Sequence, residues 1–273
     1  QGATFRNIEF SWMANGVGRG NSSINVKNVA AFSAADSPLP IEDNESRNTK
    51  ISAVYVTVGR TPTNESSAEI ELFIANSKIT GFAGLIYQAQ STSLINSSFS
   101  GKVSATVVDA TNQNYIGGLI GNGSTYLDSG SSTVNAISLS KCSVGAMQQT
   151  SFNFTIDSTK QVEIGGLAAN LTGAAISGNS VDNIYATNRQ IYININLPSA
   201  TSGSSLSSSL RIAGLVGVVN DCHIENNTVL TNIQSSKNEI AYACRPLIAS
   251  GFVGVYQLST NDSGRTISNN NVQ

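Results

Sequence analysis

The chain has 273 residues, of which 15 are basic and 17 acidic, with a formal net charge of −2 and a pI near 5.4. That balance favours neither nucleic acid nor an anionic membrane surface, and no apolar run approaches the ~18 residues of a membrane span. Only 12% of residues are charged; Ser, Thr and Asn make up a third of the chain, which suits an extracellular β protein better than a cytosolic enzyme.

The chain opens on "ATFRNIEFSW" (3–12), where apolar and polar residues alternate with the period of a half-buried strand. Then comes "INVKNV" (24–29), an apolar residue, four mostly polar ones and another apolar residue. This six-residue module returns as "IANSKI" (74–79), "LINSSF" (94–99), "LSKCSV" (139–144), "ISGNSV" (176–181), "IENNTV" (224–229) and "ISNNNV" (267–272). Its fourth position is Asn179, Asn227 or Asn270 in the last three copies and Cys142 in an earlier one. Asn there suits a tight left-handed bend, and stacked Asn side chains can hydrogen-bond as a ladder.

A second motif, an apolar residue, one or two tiny residues and two more apolar residues, runs between the modules. It is clearest in "YIGGLIGNGS" (115–124), "VEIGGLAANL" (162–171), "LRIAGLVGVV" (210–219) and "IASGFVGVYQ" (248–257), with looser copies in "FAGLIY" (82–87), "ISAVYV" (51–56) and "FSWMAN" (10–15). Anchored on Trp12, Ala53, Gly84, Gly118, Gly166, Gly214 and Gly251, the intervals are 41, 31, 34, 48, 48 and 37 residues. Such variation excludes a coiled coil or helical array but fits a scaffold with loops inserted at its corners. A third, alternating strand follows the module: "KVSATVVDA" (102–110), "SFNFTID" (151–157), "QIYININL" (190–197) and "TVLTNIQS" (228–235). All five prolines lie between modules, where no sheet donor is lost, and "TYLDSGSSTVNA" (125–136) and "NLPSATSGSSLSSSL" (196–210) read as Ser-rich loops.

Three short strands per repeat predict an all-β fold: a single-stranded right-handed parallel β-helix (β-solenoid) of about seven irregular coils with corner loop insertions, forming one domain over 1–273. Gly or Ala then sits where backbones stack too closely for a Cβ, and seven coils make a stub about 34 Å long. A seven-bladed β-propeller is the alternative. However, the 31 residues from Ala53 to Gly84 already contain the loop "GRTPTNESS" (59–67) and barely hold the four antiparallel strands of a blade.

"IGGLIG", "IGGLAA" and "IAGLVG", each followed by an I-x-x-N/C-x-V module, resemble the GLUG-motif repeats of large surface and secreted proteins, adhesins among them. The likeness covers about residues 82–273 and is weak over 1–81. It implies a right-handed parallel β-helix at a cell surface or in an extracellular assembly, and no chemistry.

The residues themselves offer little catalysis, and no catalytic, metal or cofactor site is expected. Asp109, Asp128, Asp157, Glu163, Asp182, Asp221 and Glu225 fall in different phases of the repeat, whereas polysaccharide-cleaving β-helices need clustered carboxylates. Asp221 and Glu225 flank the single histidine, His223; the three share a strand face opposite Ile224 and are expected to face solvent. "GGLIGN" lacks the ligand positions of a Ca²⁺-binding nonapeptide, and "GVGRGNSS" (16–23) lacks the Lys-Ser/Thr of a phosphate loop. Cys222 and Cys244 are a possible disulfide; three buried thiols, with Cys142, are the other reading. Sequons at Asn21, Asn44, Asn64, Asn122, Asn153, Asn170 and Asn261 are candidate N-glycosylation sites, whereas those at Asn96 and Asn226, inside the module, are expected to be less accessible.

No signal peptide is visible at Gln1, so a secreted form is expected to be already processed. The sequence ends on a module without its third strand and begins on a strand, which suggests either a fragment of a longer repeat protein or head-to-tail pairing between copies. The expected function is therefore a non-enzymatic structural or adhesive protein, extracellular or on a cell surface. Its expected partners are copies of itself or glycans and host or cell-surface ligands. The alternatives are a carbohydrate-binding or polysaccharide-degrading β-helix protein and a repeat fragment of a larger surface adhesin.

Overall fold

A computed structural model describes residues 4–12, 25–31, 49–58, 71–127, 134–135, 137–184, 186–196, 209–235, 247–258 and 265–273. Among them all regular structure is β, in three large parallel sheets; a two-stranded antiparallel ribbon, Tyr126–Leu127 with Val134–Asn135, stands apart. Parallel pairing forces each strand's partner into another repeat, so the sheets run across repeats rather than within one.

The first sheet is built by the six-residue module. Phe5, Ile51, Leu94, Leu139, Ile176, Ile224 and Ile267 form one column through it, and Phe10, Val56, Phe99, Val144, Val181, Val229 and Val272 form another. Seven copies therefore stack, but the first two are not the expected ones. They are "FRNIEF" (5–10) and "ISAVYV" (51–56), the latter having been assigned to the glycine motif. "INVKNV" and "IANSKI" instead fall in the second sheet, where Val29 pairs Phe82 and Ala30 pairs Ala83. Apolar residues five apart mark two short strands about a bend, yet the same spacing arises within one long strand. "IANSKI" lies inside the single strand Glu71–Ala83, whose pairing register shifts between Phe73 and Lys78.

The bend also differs in detail from expectation. Positive φ falls on the module's third residue, not its fourth: Asn7, Ala53, Asn96, Lys141, Asn226 and Asn269 have φ of 47–55°, and Gly178 has 63°. That left-handed residue turns the next side chain inward. The fourth residues then form the ladder: Asn179 Nδ2 donates to Asn227 Oδ1 and Asn227 Nδ2 to Asn270 Oδ1, both at 2.9 Å. The same oxygens accept the backbone N–H groups of Asn179 and Asn227, and Asn179 Oδ1 accepts that of Cys142.

The second sheet holds the alternating strands Lys102–Val108, Ser151–Asp157, Ile191–Asn196 and Thr231–Ser235. It also holds the strands that lead into the glycine motif: Asn114–Gly117, Val162–Gly165, Leu210–Ala213 and Leu247–Ser250. The third consists of Ile86–Gln90, Ile120–Ser124, Ala168–Thr172, Val216–Asn220 and Val253–Gln257, which leave the motif. At the corner between these sheets the glycines stack directly. A Cβ on Gly118 would lie 2.0 Å from the Gly166 carbonyl oxygen, and one on Gly166 2.1 Å from that of Gly214. Close backbone approach, rather than positive φ, is what excludes a side chain there. Val29 and Ala30 stand in register with Phe82 and Ala83, the pair that leads into the Gly84 corner.

Inward residues of all three sheets form one continuous core of Ile, Leu and Val. Four aromatic rings fill it early in the chain, with Phe82 edge-on to Phe99 at 5.8 Å and Phe152 stacked on Phe99 and Phe154 at 6.1 and 6.2 Å.

Candidate functional site

Outside the glycine corner, the second and third sheets face each other across a polar seam. Each strand entering the corner places an apolar residue inward (Ile116, Ile164, Ile212), so the residue before it points outward. Those outward residues are Tyr115, Glu163 and Arg211, adjacent in register. Across the corner stand Gln88, Asn122 and Asn170, also in register.

Glu163 is the centre of the seam and is only 1% exposed. Its carboxylate accepts from Asn170 Nδ2 at 2.7 Å, from Arg211 Nη1 at 3.1 Å and from Gln161 Nε2. Ser209 Oγ donates to Gln161 Oε1, and Asn122 Nδ2 to Gln88 Oε1. Burial pushes the Glu163 carboxyl above its ordinary value, against the opposing pull of Asn170, Gln161 and Arg211. Tyr115 is pushed up to about 12, first by burial and then by the negative charge of Glu163. Its ring meets that of Tyr87 edge-on at 6.3 Å. The seam thus holds one protonatable carboxylate, fixed by a guanidinium and amides. The groups bonded to Glu163 are two amides and a guanidinium.

The other acids are dispersed. Burial works to raise the Asp109 carboxyl, but hydrogen bonds from Thr159 and Ser158 outweigh it and hold it below the usual range. Asp182 pairs with Arg189, whose guanidinium is held more basic by that contact. Asp157 ends the strand Ser151–Asp157 opposite Val108, and Asp128 lies outside the described residues. His223 and Glu225 flank buried Ile224 and point outward, 3.3 Å apart, while Thr266 Oγ1 lies 2.8 Å from His223 Nδ1. Asp221 precedes that strand with φ of 51° and, like His223 and Glu225, is half-buried, while Cys222 and Ile224 between them are buried. No group of three His, Cys, Asp or Glu residues that could hold a metal occurs among the described residues.

Cys142 and Cys222 are buried free thiols, their pKa values pushed by burial up to about 12 and about 11. Cys222 Sγ donates to the carbonyls of Leu171 and Asn220; Cys244 lies outside the described residues, as do the sequons at Asn21, Asn44, Asn64 and Asn261. Asn122 and Asn170 are half-buried in the seam, and Asn153 Oδ1 accepts from Asn196 Nδ2 at 2.7 Å. Asn96 and Asn226, expected to be the less accessible pair, are instead exposed. Their left-handed backbone aims the side chain away from the bend.

The seam was not anticipated, although its signal was available. Tyr115, Glu163 and Arg211 each stand directly before the first apolar residue of the glycine motif, so aligning the three copies stacks them. Comparison with family models, curated proteins and solved structures found no match, so the GLUG resemblance rests on the chain's own residues.

Proposed function

We propose that the chain is a right-handed, single-stranded parallel β-solenoid of about seven coils. In this reading it is a GLUG-type structural or adhesive element of an extracellular or surface assembly. The observation that carries the reading is the module's register: the same two apolar columns run through seven repeats. Inter-repeat contacts of one kind support a rod whose length is set by repeat number. In this reading the edge formed by Ile267 and Val272 takes up a further coil, supplied either head-to-tail by a second copy or by a following repeat of a longer chain. Ile267 is 48% and Val272 41% exposed, whereas Ile224 and Val229, one repeat earlier, are 0% exposed. Electron microscopy and sedimentation of the purified chain over a wide concentration range test this. Rods that lengthen with concentration are expected; monomers of constant mass at the highest concentration overturn head-to-tail assembly.

The seam supports a second reading, in which the outer surface binds an acidic or neutral glycan, with or without cleaving it. Arg211, Tyr115 and the amides of Asn122 and Gln88 are the polar groups a sugar would meet. Titration with a panel of polysaccharides, read by calorimetry and by release of reducing ends, separates binding from cleavage. No heat with any polysaccharide removes this reading.

A further inference from the structure

We infer that the ligand of the seam is an anionic, uronate-bearing polysaccharide rather than a neutral one, its sugar carboxylate drawing the Arg211 guanidinium away from Glu163. The inference rests on the reading in which the seam binds a glycan, and it names the class of glycan. An orphaned donor points to it. Arg211 Nη1 donates to Glu163 at 3.1 Å, but Nε is buried with no acceptor, and none stands against Nη2 among the described residues. A buried N–H left without an acceptor costs about 1–3 kcal/mol and calls for a missing partner.

That partner is negative and planar. The Nε and Nη2 hydrogens point the same way from the guanidinium and match the two oxygens of a carboxylate, whereas a sugar hydroxyl engages them one at a time. The Arg211 side chain is 23% exposed, while the Glu163 side chain beneath it is 1% exposed. A ligand arriving from solvent therefore meets the cation and not its counter-ion.

The surroundings suit a chain of sugars better than a small anion. Tyr115, Glu163 and Arg211 hold one register position on three successive strands, so the seam runs along the stack for about 10 Å. Tyr115 is half-buried, braced edge-on by Tyr87, and offers a sugar ring an aromatic surface. Across the corner, Asn122 Nδ2 is engaged by Gln88 Oε1. Asn122 Oδ1 and Gln88 Nε2 are left as acceptor and donor for sugar hydroxyls, without other partners among the described residues.

Binding is coupled to a proton. When the ligand draws the guanidinium outward, Glu163 keeps its bonds from Asn170 and Gln161 but loses the one cation that acts on it. The other titratable group against it is Tyr115, whose phenol is pushed up to about 12 and supplies no charge. A buried carboxylate without its cation, beside an incoming carboxylate, takes up a proton. Affinity therefore rises as pH falls from neutral into mild acid. Glu163→Gln, which mimics the protonated side chain, holds the seam in its receptive state.

Calorimetry on the full chain uses galacturonate, alginate and hyaluronan oligosaccharides, each beside its methyl-esterified form, in which the carboxylate is masked, together with neutral glucose oligosaccharides. At least one uronate is expected to bind, and both esterification and Arg211→Gln to weaken that binding by about tenfold or more. Glu163→Gln is expected to bind the same uronate several-fold tighter than the parent at neutral pH, with a flattened pH dependence. For the parent, buffers of different ionisation enthalpy should report proton uptake on binding. Equal binding of free and esterified forms, or binding of neutral oligosaccharides alone, overturns the inference and leaves the glycan reading standing; no binding of any sugar removes both. A Glu163→Gln chain that binds the uronate no better than the parent refutes the competition for Arg211. The ester comparison is made on the parent chain, so it decides the matter even where a variant fails to fold.

Discussion

Gly166 and Gly251 occupy equivalent corners, yet their surroundings differ. A Cβ on Gly166 would meet the Gly214 carbonyl oxygen at 2.1 Å, a backbone atom that moves only if two repeats separate. A Cβ on Gly251 would meet only Val272 Cγ1, at 3.5 Å, an ordinary contact. Gly166→Ala is therefore expected to destabilise by about 2–4 kcal/mol and Gly251→Ala by less than about 0.5 kcal/mol, read from urea unfolding. Equal losses would show that close approach is not the constraint. Glu163 poses a different residue-scale question, because burial raises its carboxyl. A folded-state value above the unfolded one gives stability that is full below the unfolded pKa and lost as pH rises through the folded one. The stability of Glu163→Gln relative to the parent is thus expected to improve as pH increases from acid to neutral. A difference that stays flat with pH would mean that Arg211, Asn170 and Gln161 fully offset the burial.

At the scale of the element, the module is a strand, a left-handed residue, an inward-turned fourth residue and a second strand. Cys142 shows what the fourth residue does. Its Sγ donates to the carbonyl of Leu94, the first residue of the previous module, just as Asn179 Nδ2 donates to Leu139 and Asn227 Nδ2 to Ile176. The thiol supplies the donor but only a weak acceptor, whereas an amide supplies both. Cys142→Asn is accordingly expected to extend the ladder and stabilise by about 1 kcal/mol, while Asn227→Ala strands the Asn179 donors and costs about 2–4 kcal/mol. Thermal unfolding of both variants checks the pair; a destabilising Cys142→Asn would mean that the amide does not fit beside Ser97. The ladder was legible in the sequence because Asn recurs at a fixed offset between apolar residues. The bend position was not, because Asn fills both the third and the fourth place in the last two copies, Asn226–Asn227 and Asn269–Asn270. The early repeats were misaligned for a related reason. "ISAVYV" carries Val54 where later copies carry Ser, Cys or Asn, so its apolar character resembled the glycine motif. Nor could the whole seam be read from the acids' phases, since Asn170 meets Glu163 through corner geometry that spacing does not encode.

Over the whole molecule, stability is a sum of similar repeat-to-repeat contacts, so a substitution acts according to how many neighbouring repeats it touches. Ile224 lies between Ile176 and Ile267 in its column and is fully buried, whereas Ile267 has only Ile224 beside it among the described residues. A lysine at the inner position would bury a charge between two repeats, but at the outer one its ammonium reaches water along the open edge. Ile224→Lys is therefore expected to abolish cooperative unfolding of the described repeats. Ile267→Lys should leave monomer stability within about 0.5 kcal/mol of the parent. If the edge is where a second copy stacks, the same Ile267→Lys change must remove concentration-dependent growth, because an incoming strand would bury the charge beside its own apolar column. Sedimentation velocity on parent and Ile267→Lys decides the point: loss of the larger species with an unchanged monomer places the contact at this edge. Assembly that persists in the variant would move the contact to an outer face, leaving the columns to hold the repeats of one chain together.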